Sequence, residues 1–216
     1  MKRFKILFIL VLIVAIITPQ NIIFAEEGLM IKVDLWENTL TIKEGDKIIK
    51  SYSIATGKER TPTPVGYFTV IEKSKGWGGG FGSRWLGLNV PWGMYGIHGT
   101  NKPTLIGKNV SGGCVRMKNR DAEDLFEQIP VGTPVIIDGP IHGLDNHIDV
   151  LVVGSKGTLV YLVQQRLSLA GYYNGKIDGV FDHKTQKAIE KYQEDHNLIV
   201  TGNGNERLYL ELGLLE

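Results

Sequence analysis

Cys114, the one cysteine in this chain, and His98, sixteen positions upstream, are the residues whose types could together do covalent chemistry. An imidazole that takes a thiol proton leaves a thiolate, and a thiolate attacks a carbonyl carbon to give a thioester. A buried structural cysteine is the alternative reading of a lone thiol. The neighbouring residues favour chemistry. The two stretches are Ile97-His98-Gly99-Thr100-Asn101 and Ser111-Gly112-Gly113-Cys114-Val115-Arg116-Met117. Gly112 and Gly113 let the backbone turn sharply before the thiol and aim amide N–H groups at a developing oxyanion. Arg116 offers a planar fork for a substrate carboxylate or a cation that depresses the thiol pKa, with a structural ion pair as the alternative. No acidic or amide side chain adjoins His98, so a backbone carbonyl near Gly99 is the candidate to orient the imidazole.

The compartment bears on the same thiol. Lys2, Arg3 and Lys5 precede an apolar run from Ile6 to Ile17, broken by Pro19, and Ala25 offers a small residue at a cleavage position. Residues 1–25 therefore read as a secretory signal. Twelve apolar residues are short for a bilayer span, which needs about twenty, although an uncleaved anchor that also uses Ile22, Ile23 and Phe24 is the alternative. Outside the cytoplasm cysteines pair, and a lone one cannot pair within its own chain. Its retention suggests use. Without the signal, three of the 24 Lys and Arg residues are gone, leaving 21 against 23 acidic residues. No basic run appears, which sets nucleic acid aside as a partner.

Stepping outward from the pair, Ile31, Val33, Leu35, Leu40 and Ile42 alternate with polar positions, and Ile48 to Ala55 and Gly66 to Ile71 read as further strands. Thr61-Pro62-Thr63-Pro64 must be extended loop. Residues 74–96, rich in Gly and Trp, read as loop: either a mobile flap whose aromatics line a groove, or a packed loop covering the sheet. Trp92 and Tyr95 are its candidate substrate-binding aromatics. Tyr95 to Ile97 is expected as a short buried strand that ends at His98. Arg120 to Ile129 has helical spacing, with Asn119 or Asp121 as the expected cap, and Thr133 to Asp138 closes the domain as a strand. The expected class is thus a mainly β catalytic domain, sandwich- or barrel-like with one short helix, over 26–138. Residues 139–151 read as linker. From 152 to 216 the period becomes helical, giving a small all-α domain with Asp182 as a cap and a third helix from about Asn205 to Leu212. No motif calls for a cofactor. His142, His147, His183 and His196 have no metal-ligand spacing and read as surface residues.

The two motifs around His98 and Cys114, with Ala55-Thr56-Gly57 and Thr61 to Phe68 upstream, resemble the L,D-transpeptidase catalytic domain family over roughly 29–138. The C-terminal part resembles the three-helix peptidoglycan-binding domain through Val163 to Leu167, Gly171-Tyr172-Tyr173, Ile177-Asp178-Gly179-Val180-Phe181 and Thr185 to Gln193. These resemblances imply a β-rich fold and an enzyme that cross-links peptidoglycan stem peptides, which with the expected signal places it outside the cytoplasm, at the cell wall. In that scheme Cys114 is nucleophile, His98 base, Gly99 the carbonyl that orients it, and Gly113 with Cys114 the oxyanion site. Arg116 and Asn101 join Trp92 and Tyr95 as substrate-binding candidates, and Tyr172, Tyr173 and Gln193 are candidate wall contacts. Many members carry a second histidine where this chain has Gly112, which leaves His98 the sole base near the thiol. The same nucleophile could instead serve an L,D-carboxypeptidase or a cysteine endopeptidase, and a non-catalytic wall-binding protein is the reading from outside enzymology.

Overall fold

The computed structural model describes residues 28–144 and 148–215; the expected signal and His147 lie outside them. Ten strands and one helix form the N-terminal part. They are β1 (Leu29–Asp34), β2 (Thr39–Glu44), β3 (Lys47–Ser53), β4 (Thr56–Gly57), β5 (Gly66–Lys75), β6 (Arg84–Leu88), β7 (Tyr95–Thr100), β8 (Asn109–Ser111), β9 (Val115–Lys118), α1 (Asn119–Gln128) and β10 (Pro134–Asp138). Eight strands make one mixed sheet in the order β3-β2-β1-β10-β5-β6-β7-β9, and β4 pairs with β8. The expected mainly β class holds.

The alternation seen in the sequence is the pleat at work: Ile31, Val33, Leu40 and Ile42 are all fully buried on one face of β1 and β2. The β1–β2 turn is made by Asp34, whose carboxylate accepts from the N–H groups of Trp36 and Glu37, and by Asn38 at φ 52°, a left-handed position that Asn tolerates. Long connections make the pairs β1–β10 and β7–β9 parallel.

Three expectations need correction. Residues 84–88 are a strand, not loop. Trp85, Leu86, Gly87 and Leu88 are all buried, so neither face is polar and no alternation marks the segment. The strand ending at His98 runs on to Thr100, which puts the histidine inside a ladder. Finally, α1 has no side-chain cap; its N-cap is Lys118. Asn119 instead accepts from the Ser83 N–H at 3.2 Å, tying the glycine-rich segment to the helix.

The C-terminal part holds α2 (Thr158–Leu169), α3 (His183–Asp195) and α4 (Glu206–Glu211) around a second apolar core that includes Val163, Leu167, Phe181, Ile189 and Tyr209. Asp182 caps α3 through the Thr185 N–H at 2.8 Å, and Asn205 caps α4 through the Leu208 N–H at 3.0 Å, each satisfying a first-turn donor. Two buried glutamines build the turns between helices. Gln164 Oε1 accepts from the Asp178 and Gly179 N–H groups, and Gln193 Oε1 accepts from those of Thr201 and Gly202. Ile141, Leu144 and Ile148 from the expected linker pack on this core.

Candidate functional site

The parallel pairing of β7 with β9 brings the two motifs together. Ile97 lies opposite Val115 and His98 opposite Arg116, so the turn carrying Cys114 ends where β7 delivers the imidazole. Ala55 bonds reciprocally to Arg116 from the other side, both at 2.8 Å.

His98 is only 2% exposed. Its Nδ1 lies 2.5 Å from the Gly99 carbonyl oxygen; since a carbonyl only accepts, the proton sits on Nδ1 and Nε2 keeps its lone pair. Burial holds its pKa below the ordinary imidazole value, and the Arg116 charge adds to this, while the Gly99 and Phe81 carbonyls oppose it. The ring is roofed by aromatics. Phe81 packs at 5.0 Å between centroids and Trp85 stacks at 5.8 Å. Trp77 in turn lies parallel to Trp85 at 4.8 Å. The glycine-rich segment is therefore a packed cover over His98. The sequence reading missed Phe81 and Trp85; the signal available was a Gly-Trp-Gly-Gly-Gly-Phe-Gly run that is too apolar at its aromatics to be a solvated loop.

Cys114 is half-buried and unpaired. Burial pushes its thiol up, with the Gly96 backbone and the Arg116 charge pulling the other way. The turn before it is fastened by Ser111, 1% exposed, whose Oγ donates to the Cys114 carbonyl at 2.6 Å and accepts from the Gly113 N–H at 2.9 Å. Sequence reasoning gave Ser111 no role. The bond also occupies the Gly113 N–H expected to face an oxyanion. Gly113 must be glycine on two counts. Its φ is +112°, and a Cβ there would sit 2.7 Å from the Tyr95 ring and 3.1 Å from the Pro62 carbonyl oxygen. Gly112 differs: a Cβ would meet nothing within 4 Å.

Arg116 is half-buried, and its Nε has no hydrogen-bond partner, a costly arrangement for a charged donor unless something else completes it. Tyr95 and Trp92 lie beside the thiol turn, lining a cleft with Gly112; burial and the nearby Cys114 push the Tyr95 phenol up. Asn101 is exposed past the end of β7 and does not line that cleft. In the C-terminal part, Tyr173 and Gln193 are 5% and 1% exposed and serve the fold: the Tyr173 hydroxyl donates to the Lys176 carbonyl. Tyr172 packs on Tyr192. His183 and His196 are exposed, whereas His142 is half-buried.

A half-buried thiol in the turn before β9 and a buried imidazole on the neighbouring parallel strand β7 are the pairing the sequence motifs suggested. Residues 29–137 match the family model of the L,D-transpeptidase catalytic domain, and residues 156–209 match that of a peptidoglycan binding domain. The chain belongs to the L,D-transpeptidase family. It is 45% identical over 108 residues to the L,D-transpeptidase YkuD of Bacillus subtilis, covering 50% of this chain and 65% of that protein. It is 48% identical over 107 residues to the Bacillus licheniformis protein of that name, covering 50% and 64%. The chain thus spans just under two thirds of the length of these relatives. Among solved structures, the catalytic domain of the Enterococcus faecium L,D-transpeptidase aligns with 26% identity and a TM-score of 0.46, over 52% of this chain and 98% of that one.

Proposed function

We propose that this chain is an exported cysteine L,D-transpeptidase acting on peptidoglycan stem peptides in the cell wall. The observation that carries the reading is the β7–β9 register, which sets the Cys114 turn beside a buried imidazole oriented by the Gly99 carbonyl.

In the first half-reaction His98 Nε2 takes the Cys114 proton as Sγ attacks the carbonyl of an L-residue followed by a D-residue. The tetrahedral oxyanion forms beside the thiol turn. With the Gly113 N–H held by Ser111, the Cys114 N–H is the donor in place, and Gly113 contributes the backbone conformation that aims it. The C–N bond breaks, the departing D-amino acid takes the proton from His98, and a thioester remains. An amine of a second stem then attacks that thioester, His98 receives its proton, and the thiol is restored. Arg116, two residues past the thiol, favours the thiolate through its charge.

The basic and then apolar stretch over residues 1–25, read as a signal, supports export, and the C-terminal match supports a wall ligand. Purified stem tetrapeptide incubated with the protein should release its terminal D-amino acid, and mass spectrometry should find new cross-links when an acceptor stem is added. Release by Cys114→Ala at the wild-type rate would remove Cys114 from the mechanism. Trimmed tripeptide without cross-links would assign the acyl-enzyme to water instead.

A further inference from the structure

The two parts of the chain are not joined by the linker alone. Trp92, on the loop before β7, packs on Tyr161 of α2 at 5.6 Å between centroids and edge-on to Phe68 at 6.2 Å. Its ring fills the place where Gly179 has no side chain; a Cβ there would collide with Trp92 Cε3. Gly179 is also left-handed, at φ +66°, in the turn that buried Gln164 fastens. The Val65 N–H donates to Thr158 Oγ1 at 3.2 Å, a further bond across the boundary. The segment facing the thiol turn, Lys156 to Thr158, is pinned to the same turn through Gly157 N–H and the Gly179 carbonyl, at 2.9 Å.

Between the parts lies a cleft of about 350 Å³ that reaches Gly112, two residues from the thiol, with Tyr95 and Trp92 as its aromatic wall. Arg60 and Lys156 line it, one from each part of the chain. Among the described residues neither belongs to any ion pair. Arg60 is brought there by the proline loop, which Thr61 ties to the Ser111 carbonyl at 3.0 Å. Gly112 leaves the floor unfilled. A cleft with two unpaired cations, an aromatic wall and an end at Gly112, two residues from the thiol, suits a peptide that carries free carboxylates.

We propose that this cleft seats the carboxylate-bearing portion of the stem peptide, so that Lys156 of the C-terminal domain is a substrate-binding residue and that domain completes the site beside Cys114. The proposal rests on the transpeptidase reading for its substrate. Its consequence is that the domain matched as peptidoglycan-binding does more than tether: it supplies one wall of the entrance to the thiol.

The test is calorimetric titration of full-chain Cys114→Ala with stem tetrapeptide, free acid against the fully amidated form. Lys156→Glu and Arg60→Glu in that background should each raise the free-acid Kd by about fivefold to tenfold, the range for reversing one exposed partner of a charge pair. Lys156→Gln should give a smaller loss, and the amidated peptide should bind all four proteins alike. Thermal midpoints matching the parent exclude misfolding. Free-acid binding by Lys156→Glu as tight as by the parent, an equal loss for the amide, or no binding by the parent would overturn the proposal. The catalytic reading fails separately: a wild-type chain that releases no D-amino acid, while Cys114→Ala binds with the expected Lys156 dependence, would sink the transferase and leave the cleft standing.

Discussion

At Cys114 burial raises the thiol pKa while the Gly96 backbone and Arg116 lower it, and burial wins. His98 is pushed the other way, so the resting pair is thiol and neutral imidazole. A neutral pair demands a base that acts as attack proceeds, the role that the free Nε2 can fill. Removing the Arg116 charge raises the thiol pKa further. Arg116→Met should therefore slow iodoacetamide alkylation at neutral pH by about threefold to tenfold, since one pKa unit is tenfold in thiolate, and shift the alkylation midpoint to higher pH. A midpoint that moves down would contradict the role assigned to the arginine. The same shifts govern stability. The folded His98 pKa lies below the unfolded value of about 6.5, so below that pH the unfolded chain binds a proton that the folded chain does not, and stability falls. The folded Cys114 pKa lies above about 8.5, so beyond that pH the unfolded chain loses a proton first, and stability falls again. Thermal midpoints across pH should show His98→Gln flattening the acid side and Cys114→Ala the alkaline side. Both residues were candidates from their types alone, because acyl transfer by a thiol needs a base and this chain offers one near in sequence. Arg116 was a candidate for its charge, two residues past the thiol. The Ser111 hydrogen bonds were not, since a serine two residues before a Gly-Cys pair has no distinguishing local signal.

At the scale of elements, the four-residue turn from Ser111 to Cys114 sets the position of the thiol. Ser111→Ala leaves a buried N–H and a part-buried carbonyl without partners, a cost of about 1–3 kcal/mol. It should lower the thermal midpoint and reduce turnover together. The adjacent glycines give a sharper contrast. Gly113→Ala meets the Tyr95 ring at a left-handed φ, so it should lose both turnover and stability, whereas Gly112→Ala has open space and should melt with the wild type. Equal melting of the two variants would refute the geometry described. By residue type the two glycines are alike, and in the sequence only the family likeness told them apart; the neighbouring ring and the Pro62 carbonyl supply the physical difference. Strand β6 was missed for a related reason. Alternation reports a sheet with one wet face, and Trp85, Leu86, Gly87 and Leu88 are covered on both.

Across the whole molecule, Trp92 joins two cores that the sequence shows only as a change of period. Trp92→Ala empties the place beside Gly179 and Tyr161 and should split a single calorimetric unfolding transition into two, since interfaces within a chain couple domains only as far as they are packed. One unchanged transition would show that the linker residues on the helical core suffice. What the sequence by itself determined was whatever depends on residue type and short spacing: the presence of a Cys–His pair, the alternating strands β1 and β2, the capped helices α3 and α4 and the switch from a mainly β part to a helical one. What only the tertiary structure decided was contact between segments far apart in the chain: the aromatic cover over His98, the serine that fastens the thiol turn, and the docking of Gly179 on Trp92 beside a cleft that reaches Gly112. Periodicity records which face of an element is buried, and packing alone records against what.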